Sequence, residues 1–138
     1  LNHRRQLSRA AEYQSLAALR DFIEATCKGY PGVDDQVLYD LKLAVDEACT
    51  NIITHGYAGM NPGSIILAID LSSQRITMTI TDFGHAFEPS ETPLPTVEAG
   101  LEDRETGGFG LYFIYRTMDE VDYECTEDGN HLTLVKRL

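Results

Sequence analysis

A chain of 138 residues is the size of one domain, and a composition of 43% hydrophobic and 24% charged residues is that of a globular protein with a real core. Eleven Lys and Arg against 22 Asp and Glu leave a formal net charge of −11, which repels polyanions and argues against non-specific nucleic-acid binding. No apolar run reaches the roughly 20 residues of a membrane-spanning helix and no signal-peptide pattern opens the chain, so a soluble cytoplasmic protein is expected, one that Leu1 in place of Met allows to be trimmed or cut from something longer.

Leu1 to Ser8 is charged and short, and reads as an edge strand. From Arg9 onward Leu16, Leu19, Phe22 and Ile23 recur at helical spacing until Gly29-Tyr30-Pro31-Gly32 stops them. A second, longer helix follows on Val37, Leu38, Leu41, Val45, Ala48 and Ile52, with Asp34 or Asp35 as N-cap and Gly56 as stop. The period then changes to two. Ser64–Leu71 and Ile76–Thr81 are β-branched and apolar, and the polar turn 72–75 joins them as an antiparallel hairpin. Phe87 to Thr106 carries Pro89, Pro93, Pro95 and Gly100 without a period, which marks a long functional loop. A short helix from Phe109 to about Met118 and two strands, Glu120–Thr126 and Leu132–Arg137, close the chain around the Asp128-Gly129 hairpin signal. The order predicts an α+β fold, a two-layer α/β sandwich with a mostly antiparallel sheet and helices on one face, in a single domain over 1–138. The cysteines Cys27, Cys49 and Cys125 match neither a disulfide framework nor a zinc spacing and are expected to be reduced and mostly buried.

Chemistry has three places to sit. Glu47, Asn51 and His55, four residues apart, form one ridge on the second helix. A carboxylate and a carboxamide there suit a general base and a ligand for a hard cation; a solvated helix face has the same spacing. Asp82 leaves the second strand with Gly84 two residues on, an arrangement that either offers a carboxylate to a flat ligand or closes a turn on its own backbone. Thr106-Gly107-Gly108-Phe109-Gly110-Leu111 puts glycines at the mouth of a helix, where backbone N–H groups converge on an anion or merely change direction. The Walker and dinucleotide fingerprints are absent.

The order of these signals resembles the N, G1 and G2 boxes of the GHKL ATPases (gyrase, heat-shock chaperone, histidine kinase, MutL) over about residues 44–138. More narrowly, Asp46 to Tyr57 and Gly107 to Ile114 followed by Met118 to Val121 resemble the anti-sigma-factor serine/threonine kinases. The resemblance implies ATP and Mg²⁺ as cofactors. It implies Asn51 as the metal ligand and Glu47 as the catalytic base. Asp82 would bond the adenine amino group and Gly84 would clear space for its ring. Thr106, Gly107, Gly108, Gly110 and Leu111 would line the phosphate site beneath a lid from Thr92 to Thr106. It further implies transfer to a serine or threonine of an anti-anti-sigma partner of the STAS type, a sigma factor as second partner, and a possible homodimer. A non-catalytic nucleotide-gated binding module and the catalytic domain of a histidine kinase are the alternatives. The sequence departs from the family pattern at His85 and Ala86, where the second glycine of Asp-x-Gly-x-Gly is missing, and Arg104 is a candidate to meet the γ-phosphate.

Overall fold

Residues 3–86 and 108–138 are described by the computed structural model of the chain. The elements run β1 (His3–Ala10), α1 (Ser15–Cys27), α2 (Asp35–Asn51), a π-helical turn (Ile52–Gly56), β2 (Ser64–Leu71), β3 (Arg75–Asp82), α3 (Gly108–Thr117), β4 (Glu120–Thr126) and β5 (Gly129–Arg137). One antiparallel five-stranded sheet has the order β1-β2-β3-β5-β4. This is the expected α+β architecture. The segment Phe87 to Thr106, with its expected lid and Arg104, lies outside the described residues.

One face of the sheet and the inward stripes of the helices make the core. Ile65, Leu67 and Ile69 of β2, Ile76, Met78 and Ile80 of β3, and Leu134 of β5 alternate along their strands and meet Leu19 and Ile23 of α1, Leu41 and Val45 of α2, and Ile114 of α3. Full burial of each such side chain is worth about 1.5–3 kcal/mol. The opposite face carries Thr77, Thr79, Thr81 and Thr133, with Ala68 and Val135 buried among them but apart from the core cluster. Between the helices Arg20 meets Asp46 at 2.8 Å, and Lys42 bonds Glu24. That hydrogen bond, with the charges of Lys42 and Lys28, outweighs desolvation and holds the Glu24 carboxyl below its ordinary range.

The boundaries differ from expectation at particular points. The first strand runs on to Ala10 because Arg9 pairs with Ile65 and Ala10 with Ser64, and α1 begins only at Ser15 after the turn over residues 11–14. Long-range pairing overrides the helical period there. The last hairpin closes over Glu127 and Asp128, and β5 starts at Gly129 with φ +124°, so the strand is longer than its apolar part. Thr126 Oγ1 accepts from the Asp128 N–H and donates to the Gly129 carbonyl, both at 3.1 Å.

Candidate functional site

The α2 helix is capped as expected, the Asp34 carboxylate accepting from the Val37 N–H at 2.8 Å. At its other end it delivers a buried carboxamide. Asn51 is 8% exposed, and its Nδ2 is buried without a hydrogen-bond partner among the described residues. An orphaned buried polar group of this kind costs about 1–3 kcal/mol unless something outside the protein satisfies it. The ends of a carboxamide are told apart only by their partners, so rotation of the group presents an oxygen donor of the type Mg²⁺ prefers. Glu47 lies one turn earlier on the same face and is half-buried; His55 lies one turn later, exposed.

Beyond Asn51 the helix loosens into the π-helical turn, whose Tyr57 N–H donates five residues back to Ile52. Such turns are frequent at functional sites. This one brings Gly56 against the exit of β3. The His85 N–H donates to the Gly56 carbonyl at 2.5 Å, and His85 Nε2 is 3.1 Å from the Ala58 carbonyl. A Cβ on Gly84 would stand 2.2 Å from the Gly56 oxygen. Gly84 is thus needed for contact between two backbones, a different reason from the ring clearance expected of it, because the space its missing side chain leaves is taken by Gly56.

Asp82 is the last residue of β3 and is 5% exposed. Its Oδ1 accepts from the Gly84 N–H at 2.9 Å and from Asn130 Nδ2 at 3.0 Å. The local turn is formed, and among the described residues both side-chain and backbone donors to Asp82 meet Oδ1 and none meets Oδ2. Asn130 also donates to the Gly84 carbonyl at 3.0 Å. It faces Asp82 across the β3–β5 ladder and is 3% exposed. Tyr57 fastens the same corner, donating its hydroxyl to the Ser64 carbonyl and accepting from the Phe83 N–H, each at 2.9 Å. Burial raises its phenol above the ordinary value. Cys49 lies under the site; burial, then the charges of Asp46 and Asp82, pushes its thiol up.

Asp82 is thus brought to the end of α2 that carries Asn51: a Cβ on Gly56, five residues after Asn51, would be 3.7 Å from Asp82 Oδ1. Gly108, Gly110 and Leu111 begin α3, as expected of a helix mouth. Thr106 and Gly107 lie outside the described residues. Asn130 and Tyr57 were not picked out by sequence reasoning as site residues. In the sequence Asn130 falls in the turn before the predicted strand Leu132–Arg137, where nothing marks it as part of a site.

Known proteins resemble this chain over most of its length. The family model of the histidine kinase-like ATPase domain matches residues 9–136. The serine-protein kinase RsbW of Bacillus velezensis is 34% identical over 135 residues, 92% of this chain and 79% of that protein. The serine/threonine-protein kinase BtrW of Bordetella bronchiseptica is 31% identical over 96 residues, 70% and 68% of the two chains. An anti-sigma F factor of Clostridium novyi is 31% identical over 100 residues, covering 72% and 70%.

Proposed function

The chain belongs to the histidine kinase-like ATPase domain family, and from that premise we propose that it is an ATP-dependent protein serine/threonine kinase that acts as an anti-sigma factor. Its phosphoryl acceptor is then an anti-anti-sigma protein and its second partner a sigma factor. Relatives named as serine-protein kinase and as anti-sigma factor support both halves of this reading. The observation that supports the nucleotide site is two buried polar groups near one end of α2: the carboxamide of Asn51, whose Nδ2 has no partner among the described residues, and the carboxylate of Asp82, whose Oδ1 takes both of its donors.

Within this reading each residue has a physical task. Asp82 Oδ2 accepts from an exocyclic amino group, which selects adenine over a 6-oxo purine. Asn51 holds Mg²⁺, and the ion when bound neutralises triphosphate charge that a protein of net charge −11 would otherwise repel. The backbone N–H groups at the start of α3 serve the phosphates. Glu47, one turn before Asn51, takes the proton from the attacking serine or threonine hydroxyl.

Incubation with γ-labelled ATP and the cognate anti-anti-sigma protein tests the reading. Glu47→Gln should keep nucleotide binding and lose about 10²-fold or more in transfer. An unlabelled acceptor with the unmodified protein overturns the kinase; full transfer by Glu47→Gln overturns only the base.

A further inference from the structure

The β1 strand lies at an edge of the sheet, hydrogen-bonded to β2 on its inner side from His3 opposite Leu71 to Ala10 opposite Ser64. Among the described residues no strand pairs with its outer side. All of it is exposed except the half-buried Leu7. The outward backbone groups, carried by alternate residues of this eight-residue strand, are a template for another strand.

The charge on this strand is out of keeping with the chain. In a protein of net charge −11, His3, Arg4, Arg5 and Arg9 all fall here. Arg4 is neutralised by Asp70 at 2.5 Å, as Arg20 is by Asp46 and Arg137 by Glu120 elsewhere. Arg5 and Arg9 have no ion pair among the described residues, and the Arg9 guanidinium reaches only the neighbouring Ser8 carbonyl at 2.9 Å. Strand alternation puts Arg5, Leu7 and Arg9 on one face, in register with Ile69, Leu67 and Ile65. The guanidiniums stand on Cα atoms about 13 Å apart, with an apolar side chain midway.

We propose that β1 is a docking edge for an acidic, extended segment of a partner protein, which joins the sheet as a further strand and sets the pattern acid–x–apolar–x–acid against Arg9, Leu7 and Arg5. Backbone bonds to the free edge supply affinity and the alternate side chains supply selectivity. A second copy is a poor occupant. Two β1 strands crossing antiparallel at Leu7 set Arg5 against Arg9, and like charges directly opposite are destabilising. The other edge, β4, places Glu120, Asp122 and Glu124 on one face and Val121 and Tyr123 on the other, so no acid–x–apolar–x–acid face is available from it. Charge that guards an edge against self-pairing here also chooses the partner.

The test titrates the isotopically labelled chain with three end-capped peptides: Glu-Thr-Val-Thr-Glu, the rearranged Val-Glu-Glu-Thr-Thr, and Lys-Thr-Val-Thr-Lys. The first should move amide resonances of β1 and β2 and the other two should not. The Arg5→Glu/Arg9→Glu variant, both positions being exposed, should melt like the parent, bind the first peptide about tenfold more weakly, and gain binding of the lysine peptide. An Arg5→Gln/Arg9→Gln variant serves should the charge reversal disturb folding, and should show the loss without the gain. Equal binding of the first two peptides, no binding of the first at millimolar concentration, shifts centred on Asn51 and Asp82, or a concentration-dependent dimer that buries β1 would each overturn the proposal.

Discussion

At the scale of single residues the site depends on groups that meet only through the fold. Asp82 was visible in the sequence as an acid at a strand exit, but what aims it is Asn130, 48 residues later. No local period connects the two; their meeting is a consequence of the β3–β5 register. Gly84 is visible too, for another reason than the one the structure gives, since it is the fold that sets the Gly56 carbonyl against it. Asn51 was legible because helical spacing is a local property, whereas its unpaired amide is a matter of tertiary burial. A prediction follows for Asn130→Ala. Asp82 keeps the Gly84 N–H but loses its second donor, so its carboxylate turns more freely and holds the base less well. The expected outcome is an ATP dissociation constant raised about tenfold, the equivalent of one net hydrogen bond to a charged group. In the proposed function Asp82 meets the base, away from the transferring phosphoryl group, so turnover at saturating ATP should change little. Titration with a fluorescent ATP analogue beside initial-rate kinetics checks both, and a fall in turnover with unchanged affinity would show that Asn130 does not act through Asp82.

Among the elements, those with a sustained local signal were readable and those set by long-range pairing were not. The α2 helix follows its apolar stripe from an Asp34 cap, and the β2–β3 hairpin follows alternation across a short polar turn. The beginning of α1 lies later than the helical period suggests because Arg9 is held in β1 by its pairing with β2, which no helical period can report. The π-helical turn was not foreseen either. The sequence shows only Gly56 as a stop, while the extra residue in the turn rotates Gly56 toward β3. The two ends of α2 therefore separate stability from function, and the cap tests this. Asp34→Ala removes the acceptor for the Val37 N–H and should cost about 1 kcal/mol in urea denaturation. Nucleotide affinity of the folded protein should stay as it was, because Asn51 lies 17 residues along the chain, at the opposite end of the helix. A matching loss of affinity would mean that fraying at Asp34 reaches the site and that α2 does not behave as a rigid rod.

For the molecule as a whole, the order of the elements foretold the fold class and the spacing of the cysteines foretold mostly buried thiols, and the structure distributes these thiols unevenly: Cys27 and Cys49 are buried and Cys125 is exposed. Burial lifts the Cys27 thiol from 9.0 to about 11, and Cys49 is raised for the same reason with the charges of Asp46 and Asp82 added. The sign of the consequence is fixed by linkage. Between those values the native state keeps a proton that the unfolded chain has lost, so the unfolded state binds fewer protons and stability falls as pH rises. The contribution is complete below pH 9.0 and is lost as pH climbs to about 11; Tyr57, raised by burial from 10.0, acts in the same direction at the upper end of the range. A shift of this size corresponds to about 2–3 kcal/mol for Cys27, a large fraction of the 5–15 kcal/mol that holds a domain together. Urea denaturation repeated at intervals from about pH 8 to pH 11 should therefore show a steep alkaline decline. Cys27→Ala should start lower, because it leaves a cavity, yet decline less steeply, and identical slopes for the two proteins would remove Cys27 as the cause. Thiol labelling at about pH 8 provides the independent reading: the native protein should expose only Cys125 to a fast reagent, and the remaining thiols should react at the rate at which the core opens.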